Sequence, residues 1–285
     1  MYVIYLISLN NKDYKSRNIM RNVIIPKKIS NKDIIKFFKS KNMNSIILSS
    51  KEYHESVNDM TSDYKYKPQL KDLYRLYQIV YLNKRTTILE FGSGYSSLMF
   101  AASLSALNTK YKDKINNLRR NNPFELFILE NEKEYMNISK KRINNYWADN
   151  KTLRPIKVHY KLSDVCMTTY NGRICTEYKS LPLCNPDFIY LDGPEQFSVQ
   201  GNINDFTTAH KDLMPMVSDI LKIEYFLTPG TIILTDGRGA NTAFLRDNLT
   251  RNWEYKNDAE YDQHIFYLND PSLGMYNSAQ LKFYK

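Results

Sequence analysis

Four apolar runs of this 285-residue chain finish in a carboxylate. TTILEF carries Glu90, FELFILE ends in Glu130, DFIYLD in Asp192 and GTIILTD in Asp236. An acid in that position can hold a cation, accept from hydroxyls, take a proton or ligate a metal ion. Glu90 stands two residues ahead of Gly92 and Gly94 in ILEFGSGYSS, where Ser96 and Ser97 lead into another apolar segment. Glycines so spaced make a tight strand-to-helix turn and let a ligand approach the backbone. The pair alone signals only a turn. Glu90 sharpens it. A pyrophosphate seeks bare N–H groups and the positive end of a helix, so a carboxylate works against it. A ligand carrying an ammonium group gains from the same carboxylate. Glu130, at the end of the next run, suits the two hydroxyls of a ribose. The two acids together ask for an amino-acid nucleoside without phosphate. A nicotinamide dinucleotide is disfavoured by Glu90 and by Ser97 in the third glycine's place.

The other reactive side chains carry weaker signals. Asp192 can serve as a general base or bind a divalent ion that acidifies a hydroxyl. Asp236 begins an Asp-Gly pair that also reads as a plain turn. Arg238, in DGRGAN, can grip a carboxylate or phosphate, or pair with a strand-end acid. His210 is a candidate base, though a histidine on a helical segment more often sits at the surface. Cys166, Cys175 and Cys184 match no C-x-x-C pair and no histidine stands at finger-like spacing from them, so reduced thiols are expected.

Positioning four acids at one edge requires parallel strands. Strand-like runs at TTILEF, FELFILE, IKVHY, DFIYLD, GTIILTD and QHIFYLN alternate with helix-like segments at residues 96–107, 132–146, 210–226 and 241–249. That alternation predicts an α/β fold, a Rossmann-like, mostly parallel sheet with helices on both faces. Such sheets bind ligands beyond the carboxyl ends of their strands. Ahead of them, KPQLKDLYRLYQIVYLNKR repeats Leu70, Leu73, Leu76, Tyr77 and Val80 at helical spacing behind Pro68. Residues 1–69 form an N-terminal α/β extension that shapes the acceptor side, and residues 70–285 the main domain. Within the extension, MYVIYLISLNNK and NSIILSS read as strands, and NKDIIKFFKSKN as a helix capped by Asn31. Tyr64 and Tyr66 read as packing residues.

On these motifs the chain resembles the class I S-adenosylmethionine-dependent methyltransferases. ILEFGSGYSS matches their first motif and FILENEKEY their acidic second. LSDV, DFIYLDGP and GTIILTDGR follow in order at the ends of later strands. The resemblance spans Leu70 to about Leu268 and implies S-adenosyl-L-methionine as cofactor. Gly92, Gly94 and Ser96 would then contact its methionine part, Glu90 orient its amino group, Glu130 bind the ribose and Asp164 lie near the adenine amine. Asp192 would be the catalytic base. The gap from Gly94 to Glu130, filled by NTKYKDKINNLRRNNP, is longer than the family's. Catechol-type members hold magnesium with acids equivalent to Asp192 and Asp236 plus an asparagine. Gly237 stands in that asparagine's place, so a divalent metal such as Mg is a tentative assignment.

The preferred acceptor is a small-molecule or sugar hydroxyl. The net charge of +10 permits an RNA or nucleotide acceptor, but scattered lysines read more simply as a solvated surface. A non-catalytic subunit that kept the fold is the other alternative. NPDF, at residues 185–188, precedes its strand and lacks the second proline of the tetrad that holds a flipped base, which disfavours DNA amino-methylation. No apolar run is long enough to span a bilayer, so a cytoplasmic protein is expected.

Overall fold

The computed structural model describes residues 20, 22–59, 67–115, 118 and 122–285. The strand expected in MYVIYLISLNNK, and Tyr64 and Tyr66, lie outside the described residues. Among the described residues three helices come first, α1 (Asn31–Ser40), α2 (Asn44–Ser49) and α3 (Lys51–Ser56). Ser30, not Asn31, caps α1: its hydroxyl accepts from the Asp33 amide and donates to the Asp33 carboxylate. NSIILSS is helical rather than a strand. Ile46 and the preceding Met43 turn into the core while Leu48 is exposed, a helical phase, and Ser50 then caps α3.

α4 (Leu70–Leu82) buries the face expected of it, with Leu70, Leu73, Leu76, Tyr77 and Val80 inward. It ends at Asn83, whose side chain accepts from Ile24 N (2.8 Å) and donates to Ile24 O (2.9 Å), fastening the extension. The main domain follows as β1 (Thr87–Phe91), α5 (Tyr95–Tyr111), β2 (Glu125–Glu130), α6 (Lys133–Asp149) and β3 (Lys157–Leu162). A hairpin of β4 (Val165–Tyr170) and β5 (Arg173–Tyr178) comes next, then β6 (Phe188–Leu191) and α7 (Asp219–Ile223). β7 (Ile232–Asp236), α8 (Gly239–Asn248), β8 (Trp253–Asp258), β9 (Gln263–Leu268) and α9 (Gly274–Tyr284) complete the chain.

The seven-stranded sheet has the order β3-β2-β1-β6-β7-β9-β8. β1, β2, β3, β6 and β7 are parallel; β9 runs antiparallel to both its neighbours, β7 and β8. The chain winds outward from β1 to β3 and returns to β6 on β1's other side. The gap between β1 and β6 is therefore the switch point, where such sheets receive ligands. α4, α5 and α6 cover one face, and the extension's Ile34, Phe38 and Ile46 join that core. The hairpin, α7 and α8 cover the other. α5 is walled in almost all round by α4, α6 and the sheet, which explains its unpatterned run of apolar and small residues.

Two further elements depart from the sequence reading. The hairpin stands where a crossover helix would cover the sheet between its third and fourth parallel strands. It turns on Asn171 and Gly172, both at positive φ (49° and 73°) as a two-residue primed turn requires. The helix expected over 210–226 is reduced to α7 and a short 3-10 turn through Phe226. Pro215 sits in that stretch, and Met216 and Val217 pair with Thr176 of β5 instead of coiling. At the opposite end of the sheet, Asp187 accepts from the amides of Thr86 and Thr87 and from Tyr284 of α9. NPDF thus pins the strand entry.

Candidate functional site

Register brings the acids together. Glu90 lies between Ile128 of β2 and Tyr190 of β6, Leu191 pairs with Thr235, and Asp236 faces Gln263 of β9. Glu90, Gly92, Gly94, Ser96, Glu130, Asp192 and Asp236 all stand at one edge, around the switch point. Asp164 is at the same edge beyond β3, but its side chain is exposed and pairs with Lys179 (3.1 Å).

The turn after β1 is built by close approach. Gly92 has φ +93°, outside the range of L side chains, and its amide donates to Leu129 O (2.8 Å). A Cβ on Gly193 would lie 2.5 Å from Gly92 N. The turns following β1 and β6 pack backbone on backbone, and Gly193 of LDGP is the residue that permits it. Gly94 is in extended conformation and its amide donates to Ser97 Oγ (3.1 Å), closing the first turn of α5.

Glu90 is fully enclosed beneath this turn. One oxygen accepts from Ser96 Oγ (2.6 Å); the other, Oε2, has no partner. Burial pushes its pKa up to about 8, against the hydroxyls of Ser96 and Ser97, with Asp192 and Glu130 adding to the rise. Glu130 is also buried. Its Oε1 accepts from the amides of Asn131 and Glu132 (2.8 and 2.9 Å) and its Oε2 from Ser93 Oγ (2.7 Å). Burial raises its pKa too, opposed by those bonds. Ser93, from the glycine turn itself, thus occupies one oxygen of Glu130.

Asp192 is different in kind. It keeps 54% of its side-chain surface but sits in a recess walled by protein. That surrounding pushes its pKa up to about 7, with Arg238 pulling the other way and Asp236 and Glu130 adding to the rise. Water reaches the exposed part of this carboxylate and offsets some of the enclosure, unlike at Glu90. Arg238 spans the turn: its Nη2 donates to the carbonyls of Asp192 (2.7 Å) and Pro194 (3.0 Å), and Nε lies 3.7 Å from the Asp192 carboxylate. Its reading as a partner of a strand-end acid is the one this geometry supports.

Asp236 accepts from Tyr190 Oη (2.8 Å) and Gln263 Nε2 (3.4 Å). Arg75 of α4 donates in turn to Gln263 Oε1 (2.6 Å). These bonds tie Asp236 into a network that runs back into the fold. With a guanidinium already beside Asp192, and no cluster of three His, Cys, Asp or Glu ligands among the described residues, the pair does not fit a divalent ion. His210 lies on the irregular segment before α7, exposed, with Asp212 3.8 Å away.

The sequence reading missed Tyr178, the last residue of β5. It is buried against Phe91 (ring centroids 5.7 Å apart), and its hydroxyl has no partner. It also missed Asn131, which donates to the carbonyl of Glu195 and accepts from its amide (2.9 Å), tying the segment after β6 to the end of β2. The dipeptide Asn171-Gly172 was a usable signal for the hairpin that carries Tyr178.

No known family pattern and no curated protein matches the chain. Among solved structures it is similar to a methyltransferase of Podospora anserina bound to SAH, with 15% identity over 87% of this chain and 99% of that one, at a TM-score of 0.40. An O-methyltransferase from Bacillus cereus in complex with SAH is similar at 12% identity, over 87% and 94% of the two chains, with a TM-score of 0.34. A methyltransferase from Geobacter sulfurreducens is similar at 9%, over 84% and 98%, with a TM-score of 0.34. At such values these likenesses carry no weight for activity.

Proposed function

We propose that this chain is an S-adenosylmethionine-dependent methyltransferase acting on a hydroxyl of a small molecule or sugar. The observation that carries the reading is Glu90: an enclosed carboxyl under the glycine turn, with an unpartnered oxygen and a proton it would surrender to a cation. A phosphate at this edge would lie in the field of Glu90, Glu130 and Asp192, and three carboxylates oppose it. The residues fit the proposed cofactor. Glu90, acting on the turn through Ser96, favours an ammonium group there; Glu130 suits a ribose once Ser93 releases it; Asp164 lies on the adenine side.

When bound, this cofactor supplies a methyl group already activated on a sulfonium. The chain's own task is alignment and proton removal. Asp192 is placed for the second. It is reachable from solvent, set at the end of β6 and held toward neutrality, so near pH 7 a useful fraction is ionised and able to accept a hydroxyl proton. Arg238 acts as a positioning residue, fixing the Asp192–Pro194 turn through its carbonyls. No step is assigned to a metal.

Calorimetric titration with S-adenosylmethionine and its demethylated product tests the reading. Micromolar binding of both is expected; binding of neither at millimolar concentration would overturn it. Replacing Asp192 by Asn separates enzyme from non-catalytic subunit, because only an enzyme loses turnover while keeping cofactor affinity.

A further inference from the structure

A cavity of about 280 Å³ opens beside the glycine turn, between the extension and the helix layer. Its walls include Leu48 and Ser49 of α2, His54 of α3, Lys67, Tyr95 and Arg142. Tyr95 is the first residue of α5 and follows Gly94 directly. Arg142, on α6, lays its guanidinium 3.7 Å from the centroid of the Tyr95 ring. A guanidinium stacked by one face keeps its N–H edge free to grip a planar or tetrahedral anion. Among the described residues neither Arg142 nor Lys67 makes an ion pair. Neither nearby acid lines the cavity. Glu52 accepts from Leu70 N at the start of α4 (2.9 Å), and Asp59 pairs with His54 (2.8 Å). Two cations with no ion pair among the described residues therefore border one small cavity, at the lower end of the size range of ligand pockets.

We propose that this cavity binds the anionic group, a phosphate or a carboxylate, of the acceptor. The inference rests on the methyltransferase reading for the word acceptor, and on Arg142, Lys67 and the cavity for the anion. It gives the extension a function: α2 and α3 close the side of a pocket whose charged floor comes from α6 and whose edge adjoins the cofactor turn. It also narrows the acceptor to an acid or a phosphorylated small molecule.

The test titrates inorganic phosphate into the full chain, followed by phosphorus NMR, for wild type, Arg142→Gln, Arg142→Lys and Lys67→Gln. Wild type should bind in the millimolar range. Arg142→Gln should bind at least tenfold more weakly, and Arg142→Lys, which keeps the charge and loses the fork, should fall between. Unfolding midpoints and binding of the demethylated cofactor, both unchanged in Arg142→Gln, keep a folding defect apart from a lost site. Phosphate binding that is absent in wild type, or equal in wild type and Arg142→Gln, overturns the proposal. So does loss of cofactor affinity in Arg142→Gln, which would assign the cavity to the cofactor's own carboxylate. Binding of an oligonucleotide but not of phosphate, lost in the same variant, would transfer the site to a polymer and equally overturn it. Failure of wild type to bind either cofactor form strikes the methyltransferase reading instead, and leaves phosphate binding to be judged by itself.

Discussion

Replacing Glu90 by Gln should make the ligand-free protein more stable and cofactor binding weaker. The amide copies the shape of the protonated carboxyl and can still accept from Ser96 Oγ, but it cannot ionise. Folded Glu90 has a pKa of about 8, against 4.5 for the unconstrained group. A carboxyl whose pKa is higher in the folded protein lends its full stability below pH 4.5 and loses it as pH climbs toward 8. Each unit within that window costs about 1.4 kcal/mol, so at pH 7 the wild type forgoes about 3 kcal/mol relative to a group that never ionises. The gain from Gln should thus be near zero at pH 4.5, about 3 kcal/mol at pH 7, and level above pH 8. Urea unfolding of both proteins at half-unit pH steps reads this directly. In the same samples, the affinity for S-adenosylmethionine at pH 8 should drop roughly 10- to 100-fold, the scale of a lost charge-assisted hydrogen bond. A Gln variant less stable than wild type at pH 7, or a stability difference that does not change with pH, would refute the account of Glu90 as an acid held under strain for a cation.

Four further outcomes are expected. Asp192→Asn should lower kcat by roughly 10²- to 10⁴-fold, the range of a lost general base, with cofactor affinity within a factor of about two. The wild-type rate should climb with pH and level off near the Asp192 pKa of about 7, since only the ionised form accepts a proton; a profile flat from pH 5 to 8 would contradict that role. Gly193→Ala drives a methyl into the backbone of Gly92, 2.5 Å away, and should cost several kcal/mol or prevent folding; wild-type stability in urea would show that the two turns do not pack as described. Tyr178→Phe removes a buried hydroxyl with no partner and should stabilise the ligand-free chain by about 1 kcal/mol in the same assay, whereas a loss of that size would mean the hydroxyl is already satisfied.

The carboxyl edge of the sheet was legible because apolar runs bounded by acids carry both the strand and its end. The pattern alone places Glu90, Glu130, Asp192 and Asp236 at one edge. What lay beyond reach was contact between segments distant in sequence. Gly193 looks like an ordinary turn residue until Gly92 is set against it. Arg238 offers the same guanidinium to a substrate or to two carbonyls, and only the fold decides between them. NSIILSS is apolar enough for a strand, yet a buried Ile46 and an exposed Leu48 show its helical phase. The helix expected over 210–226 forms only in its second half, because pairing of Val217 with Thr176 outweighs the weak helical preference before it. The hairpin had a local signal in Asn171-Gly172, which the reading for parallel strands and helices did not use.

The central claim concerns which ligand the switch point takes. Titrating S-adenosylmethionine and a nicotinamide dinucleotide into the chain at pH 6 and pH 7 addresses it most directly. The ionised share of a group with pKa about 8 grows roughly tenfold over that interval. Affinity for the sulfonium nucleoside should strengthen by about that factor, while the dinucleotide stays weak at both values. Tighter binding of the dinucleotide, or a sulfonium affinity that falls from pH 6 to 7, would contradict the account.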